Sequence, residues 1–207
     1  MKRIFIFSYH GKETYQTGFN RLLSIAENLA QSYEVHFVYG NKNKAERPIK
    51  IKGNLVEIPL SYTQGFFHNI YKKLIDSGRR IPAKFLLAAY FFFAGKEIFD
   101  LGREFDKYKK KTNIQLSTAD IIFVSFPSIA IHNLGYALKQ EFGCKLVLDY
   151  RDPGVFGYQQ IEDNKILSFL RKRFLKRKEL RNLKAADLIV TISDSIKDLF
   201  PEKYRPL

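Results

Sequence analysis

Short apolar runs closed by polar or glycine-bearing turns recur along this chain, and between them apolar residues fall at helical spacing. Ile4, Phe5, Ile6 and Phe7 follow Lys2-Arg3 and stop at Ser8, which predicts a buried strand over 3–8. Phe19, Leu22, Leu23, Ala26, Leu29 and Ala30 then recur every three or four positions, which predicts a helix over 18–31. Residues 34–39 read as a second strand, ended by Gly40-Asn41. The polar stretch to Asn54 reads as a loop, and Leu55 to Leu60 as a third strand. This opening suits a parallel sheet.

Residues 65–112 depart from that rhythm. Phe66, Phe67, Tyr71, Phe85, Tyr90, Phe91, Phe92, Phe93, Phe99 and Phe105 mix with lysines and arginines. The segment reads as two helices broken near Gly78 to Pro82, the second closed by Lys107-Tyr108-Lys109-Lys110-Lys111. Alternation then returns. A strand is expected over 120–125, and a helix capped by Ser128, running to about Glu141 and stopped by Gly143. A strand over 145–149, a basic helix over 163–185, a strand over 188–192 and a short helix from Asp194 complete the series. The expected fold is α/β: a doubly wound, Rossmann-like parallel sheet of about six strands with helices on both faces. It forms one domain over 1–207, with a helical insertion at about 65–112.

Composition narrows the function classes. A single cysteine, Cys144, rules out an intrachain disulfide and a multi-cysteine zinc site, and fits a reducing cytoplasm. Four scattered histidines lack metal-ligand spacing, so no metal is expected. The apolar run at the N-terminus is too short for a signal-peptide core. The longest apolar stretch, Phe85 to Gly95, falls well short of the roughly 20 residues that span a bilayer.

The formal net charge of +14 calls for an anionic partner: a membrane surface, a phosphorylated ligand, a nucleic acid or an acidic second domain. No RRM, zinc-finger or KH signature is present, and the basic residues ride on helices rather than a groove reader, so nucleic acid is set aside. The basic helix carries Leu167, Leu170, Phe174 and Leu175 as an inner stripe. Arg171, Lys172, Lys176, Arg177 and Lys178 form the candidate membrane-surface set on it, beside Arg173, Arg181 and Lys184. Such a helix can lie on an anionic bilayer or simply present a solvated basic face. The aromatic–basic segment 65–112 suits a headgroup boundary, though its rings equally suit a core.

Candidate chemistry gathers where strands end, because open parallel sheets bind ligands at their carboxyl edge. The first turn, Ser8 to Gly18, leads into a helix N-terminus whose free N–H groups suit phosphate or sugar hydroxyls. It carries no G-x-G-x-x-G, so the dinucleotide fingerprint is absent. Tyr9, Thr17 and Gly18 are candidate substrate contacts, with Thr17 alternatively a helix cap. His10 is a candidate base or a solvated loop residue. Ser125 and Pro127 can line a pocket after the fourth strand, and helix capping by Ser128 also explains that turn.

The sharpest candidate is Asp149-Tyr150-Arg151-Asp152-Pro153. Arg151 can clamp a phosphate or carboxylate through its planar fork. Asp149 or Asp152 can accept bonds from sugar hydroxyls, and Asp152 is the candidate catalytic carboxylate beside His10. The competing reading is a local Arg–Asp network that fixes the turn. His36 and His132 read as structural.

Taken in order, Ala119 to Pro127, Leu146 to Pro153 and Ala185 to Ser193 resemble the N-terminal half of GT-B glycosyltransferases of the group-1 (family 4) lineage. The resemblance spans nearly the whole chain and is strongest from Ala119 to Phe200. Two departures stand out. The first turn is poor in glycine where many relatives are rich, and Gly154-Val155-Phe156 stands where a tryptophan usually follows the Asp-Pro turn.

The resemblance implies two Rossmann-like domains facing across a cleft, this one binding the acceptor. The nucleotide-sugar donor would bind mainly a C-terminal domain that these residues do not include. It implies sugar transfer, with retention, to an envelope polysaccharide or lipid-linked acceptor, without metal or other cofactor, by a fragment inactive alone. The expected location is cytoplasmic, peripheral to the inner face of the membrane. The alternative is a non-enzymatic Rossmann-like module that binds an anionic ligand or membrane surface.

Overall fold

The computed structural model describes residues 2–9, 11, 16–41, 49–50, 53–61, 70, 73–79, 82, 101–125, 129–151 and 165–204. Strand β1 (Arg3–Ser8) leads to helix α1 (Gln16–Leu29), then β2 (Glu34–Asn41), β3 (Ile49–Lys50) and β4 (Leu55–Ser61). Helix α2 (Leu101–Thr112), β5 (Ile121–Ser125), α3 (Ile129–Phe142) and β6 (Lys145–Tyr150) follow. Helix α4 (Lys165–Ala185), β7 (Leu188–Thr191) and the short α5 (Asp194–Lys197) complete the described elements, with a 3-10 turn at Glu202–Tyr204.

The sheet order is β3-β4-β2-β1-β5-β6-β7. Six strands are parallel, and only the two-residue β3 runs antiparallel, against β4. The Rossmann-like α/β fold expected from the sequence is therefore the fold observed. Strand sequences are apolar on both faces, as parallel strands covered by helices must be. Phe5, Phe7, Ile122, Val124, Leu146 and Leu148 point to one face, where they pack with Leu101 and Phe105 of α2, Ile131 and Leu138 of α3, and Leu183 of α4. Ile4, Ile6, Val35 and Phe37 point to the other, beneath Phe19, Leu22 and Ala26 of α1. Full burial of each such side chain contributes about 1.5–3 kcal/mol. Helix α3 rides close to the sheet: a β-carbon on Gly135 would sit 2.8 Å from Leu146 Cδ1 and 3.1 Å from Val124.

Crossover handedness decides which helix goes where. The step from β1 to β2 moves toward one edge of the sheet, and those through α3 and α4 move toward the other. Right-handed connections therefore place α1 on one face and α3 and α4 on the opposite one. Among the described residues, α1 is the only helix on its face, and it sits over β1 and β2. Beyond it, Ile121, Phe123, Val147 and Val190 on that face are only partly buried, and Leu188 is exposed.

The observed boundaries differ from the pattern where pairing extends them. Strand β2 continues through Gly40 and Asn41 because β4 lies alongside, pairing Gly40 with Leu60 and Asn41 with Ser61. Ile49–Lys50, expected as loop, forms a strand because β4 offers an open edge opposite Glu57 and Val56. Helix α1 starts at Gln16, so Thr17 lies inside its first turn rather than at its cap. Gly143, at φ +68°, ends α3 as expected. Gly78, at φ +74°, closes a helical turn over 73–76, while the aromatic run 85–95 lies outside the described residues.

Two aspartates tie the amino edge of the sheet. Asp120 accepts from Arg3 Nε at 3.0 Å, Arg3 Nη2 at 2.7 Å and the Ser117 N–H at 2.7 Å. Asp187 accepts from the Leu146 N–H at 2.8 Å, from Lys145 at 3.0 Å and from Lys139, joining α3, β6 and the start of β7. Partial burial opposes the Asp187 charge, but the hydrogen bonds from Lys139, Leu146 and Lys145 outweigh it and hold the carboxyl below its usual value. A depressed carboxyl stabilises the fold above its unfolded pKa, and that stability is lost as pH falls through the folded value. Asp187→Asn should therefore cost about 1–2 kcal/mol at neutral pH. The gap from the parent protein should narrow below about pH 4, as read from urea melts at several pH values.

Candidate functional site

The sheet order reverses at β1: β2 and β4 lie to one side, and β5, β6 and β7 to the other. In an open α/β sheet the crevice outside the carboxyl ends at such a reversal is where ligands bind. Phe7 pairs with Val124, so Ser8 and Ser125 follow side by side, and Ser125 pairs with Asp149. Because side chains alternate along a strand, this polar row of Ser8, Ser125 and Asp149 shares the α1 face of the sheet.

Asp149 is the centre of the row, with none of its side chain exposed. Arg21 of α1 reaches across to it in a two-pronged pair, Nη1 to Oδ2 at 2.7 Å and Nη2 to Oδ1 at 2.9 Å. The Ser125 hydroxyl donates to Oδ2 at 2.7 Å. A buried carboxylate demands such compensation. The hydrogen bond to Asp149 raises the Arg21 guanidinium above its usual value, against the opposing effect of partial burial. The cation paired with Asp149 comes from a helix 128 residues away. Both Asp149 oxygens are engaged within the protein, so its role in this geometry is to lock α1, β5 and β6 at the edge where their loops emerge.

Behind this row, on the other face, lies a buried polar layer. His132 of α3 sits edge-on to Tyr150 with ring centroids 4.7 Å apart, and Tyr150 meets Phe200 at 4.7 Å. Burial pushes the His132 imidazole down to about 4 despite the nearby Asp149, so it is neutral at pH 7. Burial, reinforced by the adjacent Glu179 carboxylate, pushes the Tyr150 phenol well above its usual value. His36 is likewise internal, stacked on Phe5 at 4.6 Å and 2.9 Å from Glu34. Both histidines are packed inside the domain, as their sequence context suggested.

The remaining candidates separate by position. Tyr9 is buried in the core on the α2–α3 face, away from Ser125 and Asp149. Thr17 is exposed and Gly18 buried in the first turn of α1, where backbone N–H groups face the crevice edge. Arg151 is half-buried immediately beyond β6. His10, Pro127 and Asp152 lie outside the described residues. On α4, Lys176 and Arg177 are exposed and Lys178 half-buried; Arg171 and Lys172 lie on the same helix, with side chains outside the described set.

Arg21 escaped the sequence reading. A signal existed: a strand-end aspartate needs a cation, and α1 carries one basic residue. Gly11 was also missed. Its β-carbon would fall 2.3 Å from the Gly40 carbonyl oxygen, so the first loop can pass β2 only without a side chain.

Replacing Arg21 with Met should cost about 3–5 kcal/mol, because it strands a buried charge. Adding Asp149→Leu should recover much of that loss, which a urea-melt double-mutant cycle will measure. Gly11→Ala should displace the first loop or cost about 1–3 kcal/mol, visible as a lowered melting temperature.

Comparison with known proteins finds no matching family model and no matching curated sequence. Solved structures do match. Sucrose-phosphate synthase from Thermosynechococcus elongatus superposes with a TM-score of 0.54 at 17% identity, over 96% of this chain and 44% of that one. A second structure of that enzyme gives 0.54 at 14% identity, over 99% of this chain and 83% of that one. An α,α-trehalose-phosphate synthase (UDP-forming) from Burkholderia vietnamiensis gives 0.48 at 11% identity, over 96% and 41%. The chain thus spans less than half the length of the first of these structures. At these identities the likeness is one of fold: the chain folds as the Rossmann-like α/β unit found in these GT-B glycosyltransferases.

Proposed function

We propose that this chain is the acceptor-side domain of a glycosyltransferase, one that moves a sugar from a nucleotide-sugar to an envelope polysaccharide or lipid-linked acceptor. The observation that carries the reading is the likeness in fold of 96% of the chain to part of sucrose-phosphate synthase, together with a polar row at the topological switch point. In this reading the Asp149–Arg21–Ser125 lock positions the loops and does not touch substrate. The first turn of α1, with Thr17 and Gly18, offers a hydroxyl and backbone N–H groups to the acceptor. Arg151, set just past the lock, binds an anionic group of the acceptor or the leaving diphosphate. His10 and Asp152 remain the candidates for moving the acceptor proton.

The donor binds mainly a second domain, its own C-terminal partner, and the reaction retains configuration. No metal or organic cofactor takes part. Catalysis then consists of alignment across the cleft and stabilisation of the departing diphosphate, and the domain alone turns nothing over.

The test is nucleotide diphosphate release from a panel of nucleotide-sugars, by the complete enzyme and by this domain. Release by the complete enzyme and none by the domain is expected. Arg151→Lys in the complete enzyme should lower kcat/KM at least about tenfold with an unchanged melting temperature, since the planar fork is lost while the charge stays. Tight binding of nucleotide-sugars by the domain alone, or unchanged kinetics for Arg151→Lys, would remove the assignment.

A further inference from the structure

Helix α4 holds one acid, Glu179, and that acid is buried. From Arg173 onward its basic residues, Lys178 apart, are not spread evenly. Arg173, Lys176, Arg177, Arg181 and Lys184 are all exposed and, at 100° per residue, fall in one sector of the helix. Glu179, Asn182 and Leu183 form the buried side. Leu167 and Leu170 of the inner stripe read from sequence have side chains outside the described set, and Asn182 bonds Asn133 of α3 at 3.0 Å. Arg181 is held over the Tyr136 ring at 4.1 Å and donates to Asn133 at 2.8 Å, which fixes the helix against α3.

Among the described residues, Arg173, Arg177 and Lys184 make no ion pair or side-chain hydrogen bond. Lys178 does not join them: its ammonium lies 4.5 Å over the Phe174 ring, and burial, then Arg181, pushes its pKa down. Among the described residues, two acids of this layer are already committed. Asp187 holds Lys139 and Lys145, and Glu141 faces Lys109.

We propose that this face of α4 is a docking surface for an anionic phospholipid bilayer. From Arg173 to Lys184 the stripe runs about 16 Å in a straight line on a convex helix, a shape that meets a plane along its length. Single-stranded nucleic acid calls for stacking rings, which this stripe lacks, and α4 is held against α3 rather than projecting as a free groove reader. Leu180, half-buried, sits within the stripe, and an apolar side chain among cations suits the headgroup boundary. Helix α4 runs antiparallel to β6, so its first turn lies at the carboxyl edge that carries Arg151. On the glycosyltransferase reading, docking through α4 would hold that edge close to a lipid-linked acceptor.

The experiment is sedimentation of the protein with vesicles of phosphatidylcholine alone and with about one third phosphatidylglycerol, a fraction that sets an anionic surface potential. Binding is expected to the anionic vesicles, with release as salt rises. Each basic residue near such a surface contributes about fivefold in affinity, so Arg173→Gln/Arg177→Gln/Lys184→Gln should weaken binding about a hundredfold. All three side chains are exposed, and the melting temperature should stay unchanged.

The control is Lys107→Gln/Lys110→Gln/Lys111→Gln on α2, which removes the same charge from another helix and should change affinity less than about threefold. Equal binding to neutral vesicles, an equal loss from the α2 control, or capture of single-stranded RNA or duplex DNA without vesicle binding would each overturn the proposal. The assay contains no sugar donor, so it succeeds or fails independently of the transfer activity.

Discussion

The carboxylate of Asp149 is the constraint around which the working edge of this domain is arranged. It is completely buried and bonded by Arg21 and Ser125, so three elements from distant parts of the chain meet at one charge. A buried ion pair of this kind contributes little net stability compared with an apolar packing of the same volume. Its value is directional: two parallel guanidinium bonds permit one placement of α1 relative to β6. The loops leaving β1, β5 and β6 inherit that placement. The same sheet is tied at its opposite edge by Asp120 and Asp187, each joining residues that the chain order keeps apart.

Handedness supplies the second constraint. Right-handed crossovers send α3 and α4 to one face and α1 to the other, so charge and apolar surface end up segregated. The layer that holds α4 carries the basic stripe of Arg173 to Lys184. The opposite face, over β5 to β7, carries partly exposed Ile121, Phe123, Val147 and Val190. A domain with faces this unlike is suited to distinct neighbours on each side.

Much of the fold was legible from the pattern of residues. Strands β1, β5, β6 and β7 and helices α1, α3 and α4 fall within one or two residues of their expected ranges. The reason is local: apolar runs and helical spacing are properties of contiguous segments, and glycines such as Gly143 mark ends by their own backbone freedom. The discrepancies among the strands arise from pairing at a distance. β3 exists because β4 has an open edge, and β2 lengthens because β4 continues beside it.

The candidate site shows the same division. Position at a strand end was enough to single out Ser125, Asp149 and Arg151, since in a parallel sheet the carboxyl edge follows from element order. Position did not reveal that Asp149 is already paired, that Tyr9 turns into the core, or that Lys178 folds onto Phe174. Arg21, at the heart of the site, was invisible because its partner is 128 residues away. What the sequence by itself determined is the series of elements, their parallel order and the excess of positive charge, because these depend on neighbours along the chain. Which carboxylate is spent on structure, and which cations it takes up, only the tertiary structure decided, because that depends on which side chains the crossovers bring within hydrogen-bonding distance.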